Sequence, residues 1–189
     1  MHVLTKAQRD SIASFAAMCV ADNDPQHSMA HLKETAELAG SLARSESADK
    51  SIAWTAGMLH DICKSENGDH GALGAKKASL FLASIGLPKS FIDSVHDAIL
   101  FHNKEFKDGP KERMVVWDAD KLPFMNTKGF MSRIVPYWVE RLGNEDGMRK
   151  AVEEYYFFRS RFHTETAKKI VDSEKVAMEA LIAQSGSRS

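Results

Sequence analysis

Among the side chains of this 189-residue chain that are of the types that bind metal ions or move protons, six fall at helix ends or on inward stripes: His31, His60, Asp61, His70, His102 and Asp118. The densest stretch is Leu59-His60-Asp61-Ile62-Cys63-Lys64, an imidazole, a carboxylate and an ammonium at the end of the apolar run Ile52 to Met58. Neighbouring positions on a helix point about 100° apart, so His60 and Asp61 can reach one ion from adjacent directions. Taken alone, the dipeptide reads more readily as a helix cap beside a solvated neighbour. Its weight comes from the others: five of the eight histidines fall between residues 31 and 102. Three or four imidazoles with two carboxylates suit a borderline to hard divalent ion rather than a soft, thiolate-seeking one. Such an ion lowers the pKa of bound water and polarises a phosphoryl oxygen.

The elements that must position these residues read as helices throughout. Thr5 caps a first helix reaching about Val20, with Ile12, Phe15, Ala16 and Cys19 at three and four residue steps, and Asp22 to Pro25 breaks it. A second helix starts near Ser28, with His31 on the same side as Thr35, Leu38, Ala39 and Leu42. Asp49 caps a third that runs into His60-Asp61, and its nearly unbroken apolar sequence predicts a central, buried position. After the loop 65–69, the small residues of His70-Gly71-Ala72-Leu73-Gly74-Ala75 let a fourth helix start close to another backbone or a ligand, and Gly86 ends it.

Pro88 opens a fifth helix whose stripe Phe91, Ile92, Val95, Ala98, Ile99 ends on His102. Beyond the charged loop 104–110, a helix from Glu112 draws Asp118 inward among apolar neighbours. Pro123 and the turn 126–129 close that section. The remainder, 130–183, reads as amphipathic helix: 134–142 around Pro136, 148–158, and a last helix capped by Thr164, with the terminus from Gln184 fraying. No strand alternation of useful length and no internal repeat is present, so the expectation is an all-α helical bundle forming one domain over 1–189.

Composition narrows the function classes. Lys and Arg number 25 against 26 Asp and Glu, a net charge of −1 that gives no global attraction to nucleic acid or acidic membranes. Two cysteines, Cys19 and Cys63, do not make a disulfide framework or a zinc ribbon. No apolar window approaches a membrane span and no leader pattern opens the chain, so the expected location is the cytoplasm.

The ordered set of motifs resembles the HD-domain superfamily of metal-dependent phosphohydrolases. It is carried by His31 with Leu32-Lys33-Glu34-Thr35-Ala36-Glu37-Leu38-Ala39, by Leu59-His60-Asp61-Ile62-Cys63-Lys64, and by Trp117-Asp118-Ala119-Asp120-Lys121-Leu122. The match covers a core of about 25–125, with further C-terminal helices over 130–183. The resemblance implies that His31, His60, Asp61 and Asp118 hold the defining metal. The blocks around His70 and Ala98 to His102 are similar to those that add two histidines in two-metal members, and two ions are favoured over one. Iron, manganese, cobalt, nickel, zinc and magnesium are not distinguished.

The implied substrate is a small phosphorylated molecule, a nucleotide or dinucleotide. Asp61 is the candidate proton acceptor as well as ligand, and Lys64 and Lys121 are candidate phosphate contacts. The bland alternatives are a solvated lysine at a helix end for Lys64 and a surface ion pair for Lys121. Asp120 orients a ligand or faces solvent, His27 caps or lies in a loop, and His96 is structural. Tyr155 to Phe158 pack in a core or interface. The pattern departs from relatives at Cys63, where glycine is common. It also lacks the Glu-Asp pair of alarmone hydrolases and the Gly-Tyr-Pro of cyclic di-GMP hydrolases. Two other functions stay open: a dinuclear-iron oxygenase on the same ligand set, and a metal-stabilised ligand-binding domain without turnover. Homo-oligomerisation is also left open.

Overall fold

A computed structural model describes residues 2–21 and 25–186. The expected break at 22–25 falls largely on residues outside that set; of the terminus expected to fray from Gln184, 187–189 lie outside it and 184–186 continue the last helix instead. The described residues are helical with no strand, and they divide into two compact units, 1–120 and 121–189. None of their helices is long and apolar enough to cross a membrane.

In the first unit, α1 (Lys6–Cys19) opens on a reciprocal cap. Thr5 Oγ1 accepts the Gln8 N–H at 3.2 Å, and Gln8 Oε1 accepts the Thr5 N–H at 3.0 Å. Helix α2 (Met29–Ser45) turns His31, Leu32, Thr35, Ala36 and Ala39 inward. Helix α3 (Lys50–Leu59) is capped by Asp49 Oδ1, which accepts from Ser51 and Ile52 at 2.8 and 3.2 Å. Every residue from Ala53 to Leu59 is buried, so α3 forms the centre, packed against α1, α2 and α5. Gly57 is what allows α2 so close: a Cβ there would stand 2.9 Å from Ala36 Cα and 3.1 Å from Thr35 O.

Helix α4 (His70–Ser84) begins at the Asp69 cap and ends before Gly86, whose φ of +74° suits a residue without Cβ. It packs on α5 (Lys89–Phe101) and meets α1 through the stacked rings of Phe15 and Phe81, 4.0 Å apart. Helix α6 (Lys111–Lys121) is pinned to the corner between α2 and α3. There Glu112 Oε1 accepts the Asp49 N–H at 2.6 Å and Lys111 Nζ donates to Glu46 O at 2.8 Å. Arg113 adds a two-pronged pair with Asp97, at 2.5 and 2.9 Å, which ties α6 to α5.

The second unit corrects one sequence expectation. Positions 126–129 are a helix start rather than a closing turn: Asn126 Oδ1 accepts the Gly129 N–H at 2.9 Å, and α7 (Thr127–Gly129) leads into a π-turn over Phe130–Ile134. Pro136 explains the wide turn. A proline inside a helix lacks the donor and crowds the carbonyl four residues back. The Val135 N–H here reaches the carbonyl of Phe130, five residues back, before α8 (Val135–Leu142) resumes. Gly143, at φ +83°, separates α8 from α9 (Asn144–Arg159), and Trp138 Nε1 donates to Glu154 across the pair. Thr164 caps α10 (Glu165–Gly186) through the Ala167 N–H at 3.3 Å. Tyr155 is buried, whereas Tyr156 and Phe157 are exposed.

Candidate metal centre

Four helix ends and one helix face of the first unit converge on two groups of ligand-type atoms. The first is His31, His60 and Asp120; the second is Asp61, His70 and His102. His60 is the residue that closes α3, still in helical conformation, so the His60-Asp61 pair begins the turn after the helix rather than lying within it. His31 comes from the first turn of α2, His70 from the first position of α4, and His102 closes α5.

In the first group His31 Nε2 lies 3.1 Å from His60 Nε2 and 3.1 Å from Asp120 Oδ1, and His60 Nε2 is 3.5 Å from the same oxygen. In the second, Asp61 Oδ1 is 3.2 Å from His102 Nε2 and 3.4 Å from His70 Nε2. The other Asp61 oxygen, Oδ2, faces the first group, 3.5 Å from His60 Nε2 and 3.9 Å from His31 Nε2. One carboxylate thus presents one oxygen to each group.

These residues fit divalent ions. Ligand atoms about 2.1 Å from an ion stand roughly 3.0 Å apart at right angles and roughly 3.4 Å apart at the tetrahedral angle, the separations seen within the first group and around Asp61 Oδ1. The tautomers fit as well. His60 Nδ1 donates to Gly57 O at 2.8 Å and His102 Nδ1 donates to Ile99 O at 2.7 Å, so each neutral ring aims the Nε2 lone pair inward. Both carbonyls lie three residues back in a helix that is ending, where carbonyls have spare accepting capacity; the Ile99 carbonyl also takes the His102 N–H at 3.4 Å.

Electrostatics points the same way. Burial pulls His60 toward its neutral form, but the Asp61 and Asp120 carboxylates outweigh it and hold the ring up to about 10. Burial pushes Asp61 up, and His60 with the His102 hydrogen bond more than offsets this, holding the carboxyl well below the usual range. The first group therefore attracts positive charge, supplied by protons when no metal is bound. His70 behaves oppositely: burial, then the Lys64 ammonium and His102, push it down to about 4, so at neutral pH it is already in the ligand form.

Of the sequence candidates, His31, His60, Asp61, His70 and His102 are brought together, and Asp118 is not among them. The carboxylate that closes the first group is Asp120. Residues two apart on α6 point about 200° apart, so only one of the pair can face His31 and His60. Asp118 is fully buried. Hydrophobic pattern could not choose between them because Val115 through Lys121 are all buried, leaving no exposed face to set the register.

Lys64 is close enough to His70 to be the second cause of its depressed pKa, after burial. Lys121, in the second unit, is buried with its ammonium 5.7 Å from the centre of the Phe158 ring. The His27 ring centre is 6.2 Å from that of His31, and His96 Nδ1 sits 3.0 Å from Ser79 Oγ in a structural contact. Sequence reasoning placed Asn103 only at the start of a loop, 103–110, expected to set specificity, and gave it no part beside a ligand; its amide nitrogen contacts the His70 ring at 3.3 Å.

The family model for the HD domain matches residues 29–125, which include every residue of both groups. Solved structures with similar folds include a predicted HD-superfamily hydrolase from an uncultured Thermotogales bacterium, 23% identical, with TM-score 0.68 over 93% of this chain and 89% of that one. A second is an HD-superfamily hydrolase from Bacillus thuringiensis, 21% identical, TM-score 0.77, covering 95% and 96%. A third is Bacillus subtilis YpgQ in complex with ADP, 21% identical, TM-score 0.75, covering 94% and 93%.

Proposed function

Because this chain belongs to the HD-domain family, we propose that it is a metal-dependent phosphohydrolase that cleaves a phosphoester or phosphoanhydride of a nucleotide or dinucleotide. The observation that carries this reading is the Asp61 carboxylate, with one oxygen directed at His31 and His60 and the other at His70 and His102. In this proposal His31, His60, Asp120 and Asp61 Oδ2 hold one divalent ion, and His70, His102 and Asp61 Oδ1 hold a second. Bound ions would supply an activated water and stabilise charge on the phosphoryl oxygens.

The chain's own residues do the rest. Gly57 O and Ile99 O keep the rings of His60 and His102 in the tautomer that presents Nε2. Asp61 serves as ligand to both ions and as the candidate acceptor of the attacking water's proton, which then leaves to solvent or to the departing group. Lys64, near His70, binds a non-bridging phosphate oxygen as a point charge. Lys121 is the weaker candidate for that role, given its burial over Phe158. The choice of a nucleotide is supported by the ADP held by YpgQ, a protein of the same fold.

The test is release of phosphate or pyrophosphate from a panel of mononucleotides and dinucleoside polyphosphates with Mn²⁺, Co²⁺, Fe²⁺, Ni²⁺, Zn²⁺ or Mg²⁺. The expected result is hydrolysis with one ¹⁸O from labelled water in the product phosphate, abolished by Asp61→Ala. Oxygen consumption with a mixed-valence iron signal and no phosphate release would replace it with the oxygenase reading. Metal binding without turnover on any substrate would favour a binding domain.

A further inference from the structure

His60 and His102 owe their orientation to a carbonyl three residues back, and His70 has no such partner. It is the first residue of α4, so no helical carbonyl precedes it. Among the described residues, the side chains within hydrogen-bond reach of its ring are Asp61 and Asn103. Asn103 follows His102 directly at the end of α5, and its Nδ2 stands 3.5 Å from His70 Nδ1 and 3.3 Å from Nε2. Its oxygen occupies the space left by the missing side chain of Gly71, where a Cβ would come within 2.8 Å. The next residue, Lys104, pairs at 2.8 Å with Asp69, the carboxylate that caps α4 by accepting the Ala72 N–H at 3.1 Å.

We propose that Asn103, seconded by Lys104, is a positioning residue that latches the end of α5 to the start of α4 and thereby sets His70 for the second ion. The two histidines of the second group come from different helices, and the Asn103-Lys104 dipeptide is the polar link joining their ends. With His70 in ligand form, the amide turns its oxygen to accept the Nδ1 proton, the service that Gly57 O and Ile99 O perform for the other two rings. Oxygen and nitrogen of an amide exchange by a simple flip. The first group, built on α2, α3 and α6, does not depend on this latch.

The proposal rests on the two-ion reading above, and the experiment separates the two. Chelator-stripped full-length protein is dialysed against graded Mn²⁺, and bound metal is counted for wild type, Asn103→Ala and Asn103→Asp. The expected wild type takes two ions per chain. Asn103→Ala weakens the second by about tenfold or more and leaves the first unchanged, as loss of a hydrogen bond to a metal-bound imidazole does. Asn103→Asp, which still accepts the Nδ1 proton, keeps the second ion within a few-fold of wild type. Equal binding of both ions by wild type and Asn103→Ala would overturn the latch, as would Asn103→Asp losing the second ion as fully as Asn103→Ala. A wild type that takes one ion at every Mn²⁺ concentration would overturn the two-ion reading itself and the latch with it.

Discussion

Substituting Gly57 by alanine tests whether the close packing of α2 on α3 is what brings His31 and His60 onto one ion. The new methyl carbon would lie 2.9 Å from Ala36 Cα, 3.0 Å from Ala36 N and 3.1 Å from Thr35 O, all backbone atoms that cannot swing away. Ordinary contact begins near 3.4 Å, so α2 must move off α3 by about 0.5 Å, the tolerance within which a metal site keeps its geometry. His31 rides on α2 and His60 ends α3, so the shift opens the 3.1 Å separation of their Nε2 atoms directly. Overpacking costs about 1–3 kcal/mol, and alanine returns about 1 kcal/mol of helix propensity. The net loss of stability is therefore small, about 0–2 kcal/mol by those two figures, while metal binding suffers more. Gly57→Ala should fold, melt within about 8 °C of wild type by the usual conversion, and bind the first ion at least about tenfold more weakly, a loss typical of disturbed ligand orientation. Calorimetric titration of the stripped protein with Mn²⁺ or Zn²⁺ measures this. Unchanged affinity for the first ion would refute the claim that the helix approach at Gly57 sets the site.

Other outcomes follow from the same geometry. Asp120→Asn should abolish binding of the first ion, whereas Asp118→Asn should bind metal normally and lose about 1–3 kcal/mol in denaturant unfolding, the usual cost of disturbing a buried polar group; the reverse ranking would restore Asp118 as the ligand. The metal-free protein should have a stability maximum near neutral pH. His60, raised from 6.5 to about 10, contributes stability that is complete below 6.5 and is lost as pH rises through 10. His70, lowered to about 4, contributes stability that is present above 6.5 and is lost as pH falls through 4. Melting temperature against pH in chelator checks both limbs, and a flat profile between 6.5 and 10 would refute the first. Saturating metal should remove the alkaline loss, because the ion takes the place of the proton, and should stabilise by about 4 kcal/mol at a thousandfold excess over Kd.

Much of this arrangement was legible in the sequence because local chemistry and tertiary need agree. Thr5, Asp49 and Thr164 read as caps and act as caps, and the apolar run before His60 is the central helix. The spacing of the histidines placed four of them at helix ends, which is where the fold brings them together. Two features were hidden for physical reasons. In α6 burial on every side erased the register that would have separated Asp118 from Asp120. The π-turn before Pro136 depends on a hydrogen bond five residues long, a pattern that leaves no periodic mark. Asn103 was hidden for a third: it acts across 33 residues on a histidine whose own helix start cannot supply a carbonyl, and only the packed helices reveal the need.

Diffraction from crystals grown with Mn²⁺, recorded at the manganese edge, tests the central claim most directly. The account predicts two anomalous peaks, one against His31, His60 and Asp120 and the other against His70 and His102, with an Asp61 oxygen beside each. A single peak, or a pair that Asp61 does not join, would contradict it.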